Sequence, residues 1–344
     1  MHLITAPNGL RLVADPVKSV DTVSIGVWAG VGTRHEDLAE NGIAHLVEHM
    51  MFKGTRAEDG KGRSALDIAR MIEDVGGRMN AYTSRDITCY FIHVLKDDMD
   101  LALDLLADMV QHPAFEEKEL ERERGVILSE IGLSNDTPDD VIFDYYQETA
   151  YPAQGLGAPI LGREDIIRNI GRDALQRYVT RHYNPANLVV SAAGNFDPDR
   201  FAEKVQSAFT DLPGAAESPS EHARYKGGVM VREKELEQAH IVLGFESLSR
   251  HDEDYYAGKA LASALGGGMS SRLFHEIREQ RGLCYTVFAH HSGYDDAGQF
   301  VVYAGTAGKD VPELMQVMGD ELAAAPANIS DEDLARAKAQ MRSG

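Results

Sequence analysis

Runs of β-branched and aromatic residues alternate along this chain with segments whose apolar residues fall three to four apart, and their order is written twice. The runs at about 21–29 (DTVSIGVWA), 78–84, 87–94 and 187–194 (NLVVSAAG) predict strands. The helical spacing predicts helices at about 41–51, 64–75, 97–111, 116–133, 138–149, 172–182 and 198–209. Between about 213 and 228, Pro, Gly, Ser and charged residues cluster without a period, as a linker does. Beyond it come a strand at about 239–246 (AHIVLGFE), helices at 252–264 and 270–280, a strand pair at 284–292 and 298–305, and helices at 310–323 and 330–342. Strand, two helices, strand pair, two helices is thus repeated.

A period this long predicts duplicated domains, each large enough for its own core. With 344 residues, two cores are also what the length favours. The expected fold is α+β, two copies of one unit, each a mainly antiparallel sheet packed with helices. Domains are expected at 1–213 and 229–344, joined by a linker at 214–228. The helix at 330–342 corresponds to that at 116–133, so the second copy reads as C-terminally incomplete, lacking a counterpart of 134–212.

Charge narrows the partners. A net charge of -21, from 34 basic and 55 acidic residues, disfavours nucleic acid, because no basic stripe offsets repulsion from phosphates. It suits basic peptides, or simply solubility. No apolar run approaches the roughly 20 residues that span a bilayer. The start, MHLITAPNGLRLVADP, has neither the basic nor the apolar region of a secretion signal. The two cysteines, Cys89 and Cys284, lie far apart in strand-like runs, as buried small residues in a reducing compartment. A cytoplasmic, bacterial-type setting is expected, with the mitochondrial matrix as the alternative.

The chemistry concentrates in His45-Leu46-Val47-Glu48-His49. A helix brings His45, Glu48 and His49 within about 100° of one another on one face. Two imidazoles one turn apart can point nitrogens at one zinc ion, and Glu48 is then placed to act as general base on water that zinc activates. Asn41 is a candidate N-cap and Lys53-Gly54 a stop, so the segment reads as helix without reference to the motif. The inverted His-x-x-Glu-His order is a known zinc-peptidase signature. A third ligand should be a carboxylate from another element. Glu116, Glu123 and Glu130 share a face at seven-residue spacing, Glu119 and Glu121 compete with them, and a surface laced with salt bridges is the alternative reading. Spacing alone leaves the choice open.

Four segments in order, HLVEHMMFKGT, GGRMNAYTSRDITCYF, LERERGVILSEI and SSRLFHEIREQRGLCYTV, resemble the pitrilysin family, in its branch of mitochondrial processing peptidase β-subunits and their bacterial relatives. The resemblance covers nearly the whole chain. It implies a zinc metalloendopeptidase with one zinc ion per chain, held by His45, His49 and a glutamate roughly seventy-five residues beyond the second histidine. Glu123, 74 residues on, matches that glutamate, and Glu116, one heptad earlier, matches a supporting carboxylate. Asn80, Ala81, Tyr82 and Thr83 resemble the edge strand on which substrate lies as an added strand. Arg278 and Tyr285 match a family pair that stabilises the tetrahedral intermediate and positions substrate.

The family also implies a homodimer, because one chain carries both the zinc motif and the Arg/Tyr pair. Substrates are then peptides, basic and presequence-like, or unfolded segments. Gly266-Gly267-Gly268 lacks the Gly-Lys-Ser/Thr of a phosphate loop and resembles a substrate-facing loop or a plain connecting turn. His290-His291 reads as structural. The segment 252–264, counterpart of the zinc helix, has no histidine, so the second copy is expected to serve as wall and platform. The competing function is a non-catalytic, core-protein-like subunit of the same family. A zinc nucleobase deaminase would need a Pro-Cys-x-x-Cys segment that is missing here.

Overall fold

The computed structural model describes residues 1–56, 62–214 and 221–343. Part of the expected linker, 215–220, lies outside the described residues. In chain order the strands and helices are β1 (His2–Thr5), β2 (Arg11–Pro16), β3 (Thr22–Ala29), α1 (Ile43–Met51), α2 (Ala65–Glu73), β4 (Arg78–Thr83), β5 (Thr88–Leu95), α3 (Met99–Gln111) and α4 (Glu117–Asn135). There follow α5 (Pro138–Ala150), α6 (Glu164–Ile167), α7 (Arg172–His182), β6 (Leu188–Gly194) and α8 (Pro198–Ala208). The remainder is β7 (Ala239–Ser247), α9 (Tyr255–Gly266), a π-helical turn Phe274–Glu279, β8 (Cys284–Gly293), β9 (Gly298–Thr306), α10 (Val311–Asn328) and α11 (Asp331–Ser343).

The first compact unit comprises Met1–Gly132 and Ala158–Glu221. Its sheet has the order β1-β2-β6-β3-β5-β4, antiparallel except where β2 runs parallel to β6. β3 lies inside the sheet with Val23, Ile25 and Val27 fully buried, as β-branched residues on a covered face should be. β4 is an edge strand, paired only with β5, from Arg78 opposite His93 to Thr83 opposite Thr88. Over the sheet, α1 buries Ile43, Leu46, Val47, Met50 and Met51 in one core with Leu103, Leu106 and Val110 of α3. Full burial of one such side chain is worth about 1.5–3 kcal/mol, so this apolar side anchors the helix whatever its other face carries. β1 and β2, which no period predicted, form a short hairpin about Asn8-Gly9, where Gly9 has φ +90.

The second unit comprises Leu133–Gly157 and His222–Gly344. Its antiparallel sheet has the order β7-β9-β8, with the inner strand β9 buried along its length. Leu265, Leu273, Ile277, Val302, Leu314 and Met318 form its core. The order β7, α9, π-helical turn, β8-β9 hairpin, α10, α11 matches β3, α1, α2, β4-β5 hairpin, α3, α4, the expected duplication. The segment expected as a helix at 270–280 is helical and takes π form over Phe274–Glu279, and Leu283 N–H returns to Ile277 O at 3.0 Å.

The units are not divided as the boundary at 213 implied, because Leu133–Gly157 groups with the second. The reason is packing of α5 on β7 and β9. The Tyr146 ring lies on Gly244, where a Cβ would meet it at 2.1 Å, and Gln299 Nε2 donates to Gln147 Oε1 at 3.0 Å. Composition marks a linker, but it carries no information about which core a preceding helix joins.

Candidate metal centre

The centre is built on α1. Asn41, the expected N-cap, does not cap it: the helix starts after Gly42, at φ +95, and the acceptor comes from further back. Glu36 takes the N–H of Gly42 and of Ala44 at 2.8 Å each, and the Asn41 side chain at 2.9 Å. A buried carboxylate at a helix N-terminus satisfies orphan donors and meets the positive end of the dipole. Burial nevertheless pushes its pKa up to about 7, with those three donors pulling it down.

The apolar side of α1 is spent on the core, which leaves His45, Glu48 and His49 together on the opposite face. The two rings lie 4.6 Å apart, nearly edge to face. From α4, Glu130 Oε2 stands 3.8 Å from His45 Nε2 and 3.7 Å from His49 Nε2. Among the described residues, His45, His49 and Glu130 form the one set of three potential ligands whose donor atoms lie within 4.8 Å of one another.

This corrects the expected register on α4. Glu123, expected as third ligand, faces the other ring nitrogen: its Oε2 is 3.1 Å from His49 Nδ1, and its Oε1 is 2.8 Å from Lys53 Nζ. Glu116, expected to support the site, is exposed just before α4 begins. The glutamate that faces His49 Nδ1 and the glutamate nearest both Nε2 atoms, Glu123 and Glu130, each stand one heptad beyond the residue expected there. Seven residues return to nearly the same face of a helix but advance about 10 Å along its axis, so only the packed position of α4 decides which glutamate meets the histidines.

The donors suit a divalent ion. Glu123 accepts the proton of His49 Nδ1, which leaves the lone pair at Nε2, toward Glu130. His45 is 9% exposed, and burial, with His49 beside it, drops its pKa to about 4, so its ring is neutral. Its Nδ1 is buried without a hydrogen-bond partner. Lone pairs converging on a carboxylate at 3.7–3.8 Å, beyond hydrogen-bond length, are reconciled by a cation among them.

Glu48 points beside this cluster and accepts the Thr83 hydroxyl at 2.6 Å. Burial raises its pKa, with the Thr83 bond and the field of His49 opposing. Thr83 ends β4. Along that strand Asn80 turns its Oδ1 to the Ala81 N–H at 2.9 Å, and Tyr82 meets the Trp28 ring edge-on at 6.3 Å. In the second unit, the Arg278 guanidinium stacks between aromatic rings, 4.6 Å from Phe274 and 4.7 Å from Tyr285, and Tyr285 is 74% exposed. His291 is buried, its ring against Tyr255 and over Gly258, in keeping with a structural role. Burial pushes the free thiols of Cys89 and Cys284 up to about 12 and about 11, as for small core residues.

Residues 12–164 match the family model described as insulinase (peptidase family M16), and residues 169–341 match the peptidase M16 inactive domain. The chain belongs to peptidase family M16. Its relatives include an uncharacterized zinc protease of Streptomyces coelicolor, 40% identical over 98% of this chain and 75% of its own. Another is the uncharacterized zinc protease YmxG of Bacillus subtilis, 38% identical over 98% of this chain and 82% of its own. The fold is shared with a protease from Helicobacter pylori, at TM-score 0.89 and 24% identity over 99% of this chain and 84% of that one. A chain of complex III2 from Candida albicans shares it at TM-score 0.84 and 20% identity, over 99% and 80%. The M16 family is the one whose resemblance the four sequence segments carried. Within the M16 second unit, α9, counterpart of α1, contains no histidine.

Proposed function

We propose that this chain is a zinc metalloendopeptidase that hydrolyses extended peptides or unfolded segments, with His45, His49 and Glu130 as zinc ligands and Glu48 as general base. The convergence of two Nε2 atoms and one carboxylate oxygen, with a second carboxylate, Glu48, held beside them, carries the reading. When bound, zinc supplies Lewis acidity to water and to the scissile carbonyl. Glu48 takes the proton of the attacking water at the oxygen not held by Thr83, and returns it to the leaving amine. Glu123 keeps His49 in the tautomer that presents Nε2. The β4 edge offers main-chain pairing, which holds peptides with little demand on sequence, and Asn80, Ala81, Tyr82 and Thr83 line it. Arg278 and Tyr285 supply a cation and a phenol suited to a carbonyl oxygen that gains charge.

The net charge of -21 favours basic, presequence-like peptides as substrates. Because one chain carries every group, a homodimer is the economical assembly. Among the described residues no helix is long and apolar enough to cross a membrane. The zinc-protease relatives from Streptomyces coelicolor and Bacillus subtilis are bacterial, and a bacterial-type cytoplasmic setting is part of this reading. The intact histidine pair favours this reading over a core-protein-like subunit without catalysis. The test is cleavage of a quenched basic peptide by the zinc-loaded chain. Glu48→Gln is expected to keep zinc and lose turnover. Turnover retained in that variant removes Glu48 from the chemistry, and zinc binding without cleavage of any library peptide favours the structural subunit.

A further inference from the structure

Lys53 enters no part of the reading above, yet it is placed where it can govern the metal site. It directly follows the residue that closes α1, and its N–H returns to Met50 O at 3.1 Å. Next to it Gly54 has φ +125, and a Cβ there would meet Arg63 O at 2.9 Å, so the chain must turn away at this point. The backbone of Lys53 is thereby fixed at the C-terminal end of the zinc-motif helix, whose partial negative charge favours an ammonium. The side chain reaches Glu123 Oε1 at 2.8 Å.

Glu123 is 6% exposed and has both oxygens engaged, Oε1 by Lys53 and Oε2 by His49 Nδ1. A carboxylate held at both ends cannot rotate about its own axis, and the ring hydrogen-bonded to it is held with it. Among the described residues, Lys53 is the one lysine or arginine in ion-pair range of Glu48, Glu123 or Glu130.

We propose that Lys53 is a positioning residue of the metal centre: it fixes Glu123, and through Glu123 the direction in which His49 presents Nε2 to the ion. The proposal rests on the reading that His49 is a zinc ligand. It opposes a simpler expectation. A positive charge near a cation site repels the cation, so if charge alone mattered, removing Lys53 would tighten zinc binding. Orientation predicts the reverse, by the 10–100-fold that loss of an outer partner of a metal-bound histidine costs, an order-of-magnitude figure.

The sign of the change decides. Zinc affinity of the whole chain would be measured by competition with a chromogenic chelator, for wild type, Lys53→Met, Lys53→Arg, Glu123→Gln and the Lys53→Met/Glu123→Gln double variant. Lys53→Met is expected to bind zinc roughly 10–100-fold more weakly, and Lys53→Arg, which keeps charge and donors, to recover most of the loss. In the Glu123→Gln background, Lys53→Met should add nothing further, which a general loss of structure would not reproduce. Unchanged or tighter binding by Lys53→Met, or full additivity with Glu123→Gln, overturns the proposal. His49→Ala separates the two readings. If it leaves zinc affinity intact, the ligand assignment fails and takes this inference with it. If it abolishes binding while Lys53→Met binds normally, the inference about Lys53 fails alone.

Discussion

Thr83 of β4 donates its hydroxyl proton to Glu48 of α1 over 2.6 Å, so the edge strand proposed to receive peptide also steadies the carboxylate proposed to move the proton. Hydrogen bonds to charged groups contribute about 1.5–3 kcal/mol, so losing this one should slow the chemical step by about 10–100-fold. Thr83→Val keeps the shape of the side chain and removes the donor. Its kcat should fall with little change in KM, and Thr83→Ser should recover most of it. If Thr83→Val raises KM and leaves kcat alone, the threonine acts on peptide binding and not on Glu48.

The register on α4 separates Glu123 from Glu130. Glu130 Oε2 faces both Nε2 atoms, whereas Glu123 faces Nδ1 of His49. Glu123→Gln still offers an oxygen to the Nδ1 proton, and its zinc affinity should drop by about 10–100-fold. Glu130→Gln exchanges a charged ligand for a neutral one and should lose far more. Equilibrium dialysis of the two variants against zinc checks the order. Full zinc binding by Glu130→Gln alongside loss in Glu123→Gln would return Glu123 to the role that the family resemblance implied for it.

What the sequence disclosed follows how local each feature is. The helix bearing His45, Glu48 and His49 was legible because its apolar positions and its chemistry share one period within nine residues. The duplication was legible because it repeats the order of elements, which tertiary packing does not alter. Which of three heptad-spaced glutamates meets the histidines was not, since helical phase is nearly equal for all three and their axial position against α1 is a property of packing. The cap of α1 was hidden for a related reason. Local rules favour Asn41, but the acceptor is Glu36, brought back by the turn that precedes the helix. β1 is four residues long, too short for a period to emerge, and needs β2 beside it to exist. Lys53 looked like part of a helix stop, and only its contact with Glu123 distinguishes it from one.

Glu36 is the residue on which the start of α1 depends. Glu36→Ala leaves the N–H groups of Gly42 and Ala44 without their acceptor in a buried setting, while the Asn41 amide loses one acceptor and keeps Pro159 O at 3.1 Å. Each unsatisfied buried group costs about 1–3 kcal/mol, so destabilisation of at least about 2 kcal/mol is expected. Because His45 lies one turn into the same helix, zinc affinity should weaken as well. Urea unfolding would show a lower midpoint with an unchanged slope. A midpoint equal to wild type would mean that water replaces the carboxylate there, and that Glu36 is not the structural cap.

His182 should make stability fall in mild acid. It is buried at the end of α7, and burial, then Arg181 and His35, drops its pKa from 6.5 to about 4. The unfolded chain therefore takes up its proton first. Its contribution is complete above pH 6.5 and is lost progressively as pH falls toward about 4. Glu36 runs the opposite way: with a folded pKa pushed from 4.5 up to about 7, the folded chain binds that proton first, and stability from this group is complete below pH 4.5 and declines as pH rises toward about 7, a window that overlaps that of His182. The two slopes oppose each other, so the raw pH profile of wild type does not isolate either. The difference between wild type and His182→Gln does. Thermal midpoints measured at pH 7.5 and pH 5 should show the variant losing less on acidification than wild type. Parallel losses in both proteins would mean that His182 ionises as readily in the folded chain as in the unfolded one, and that its burial does not control its proton.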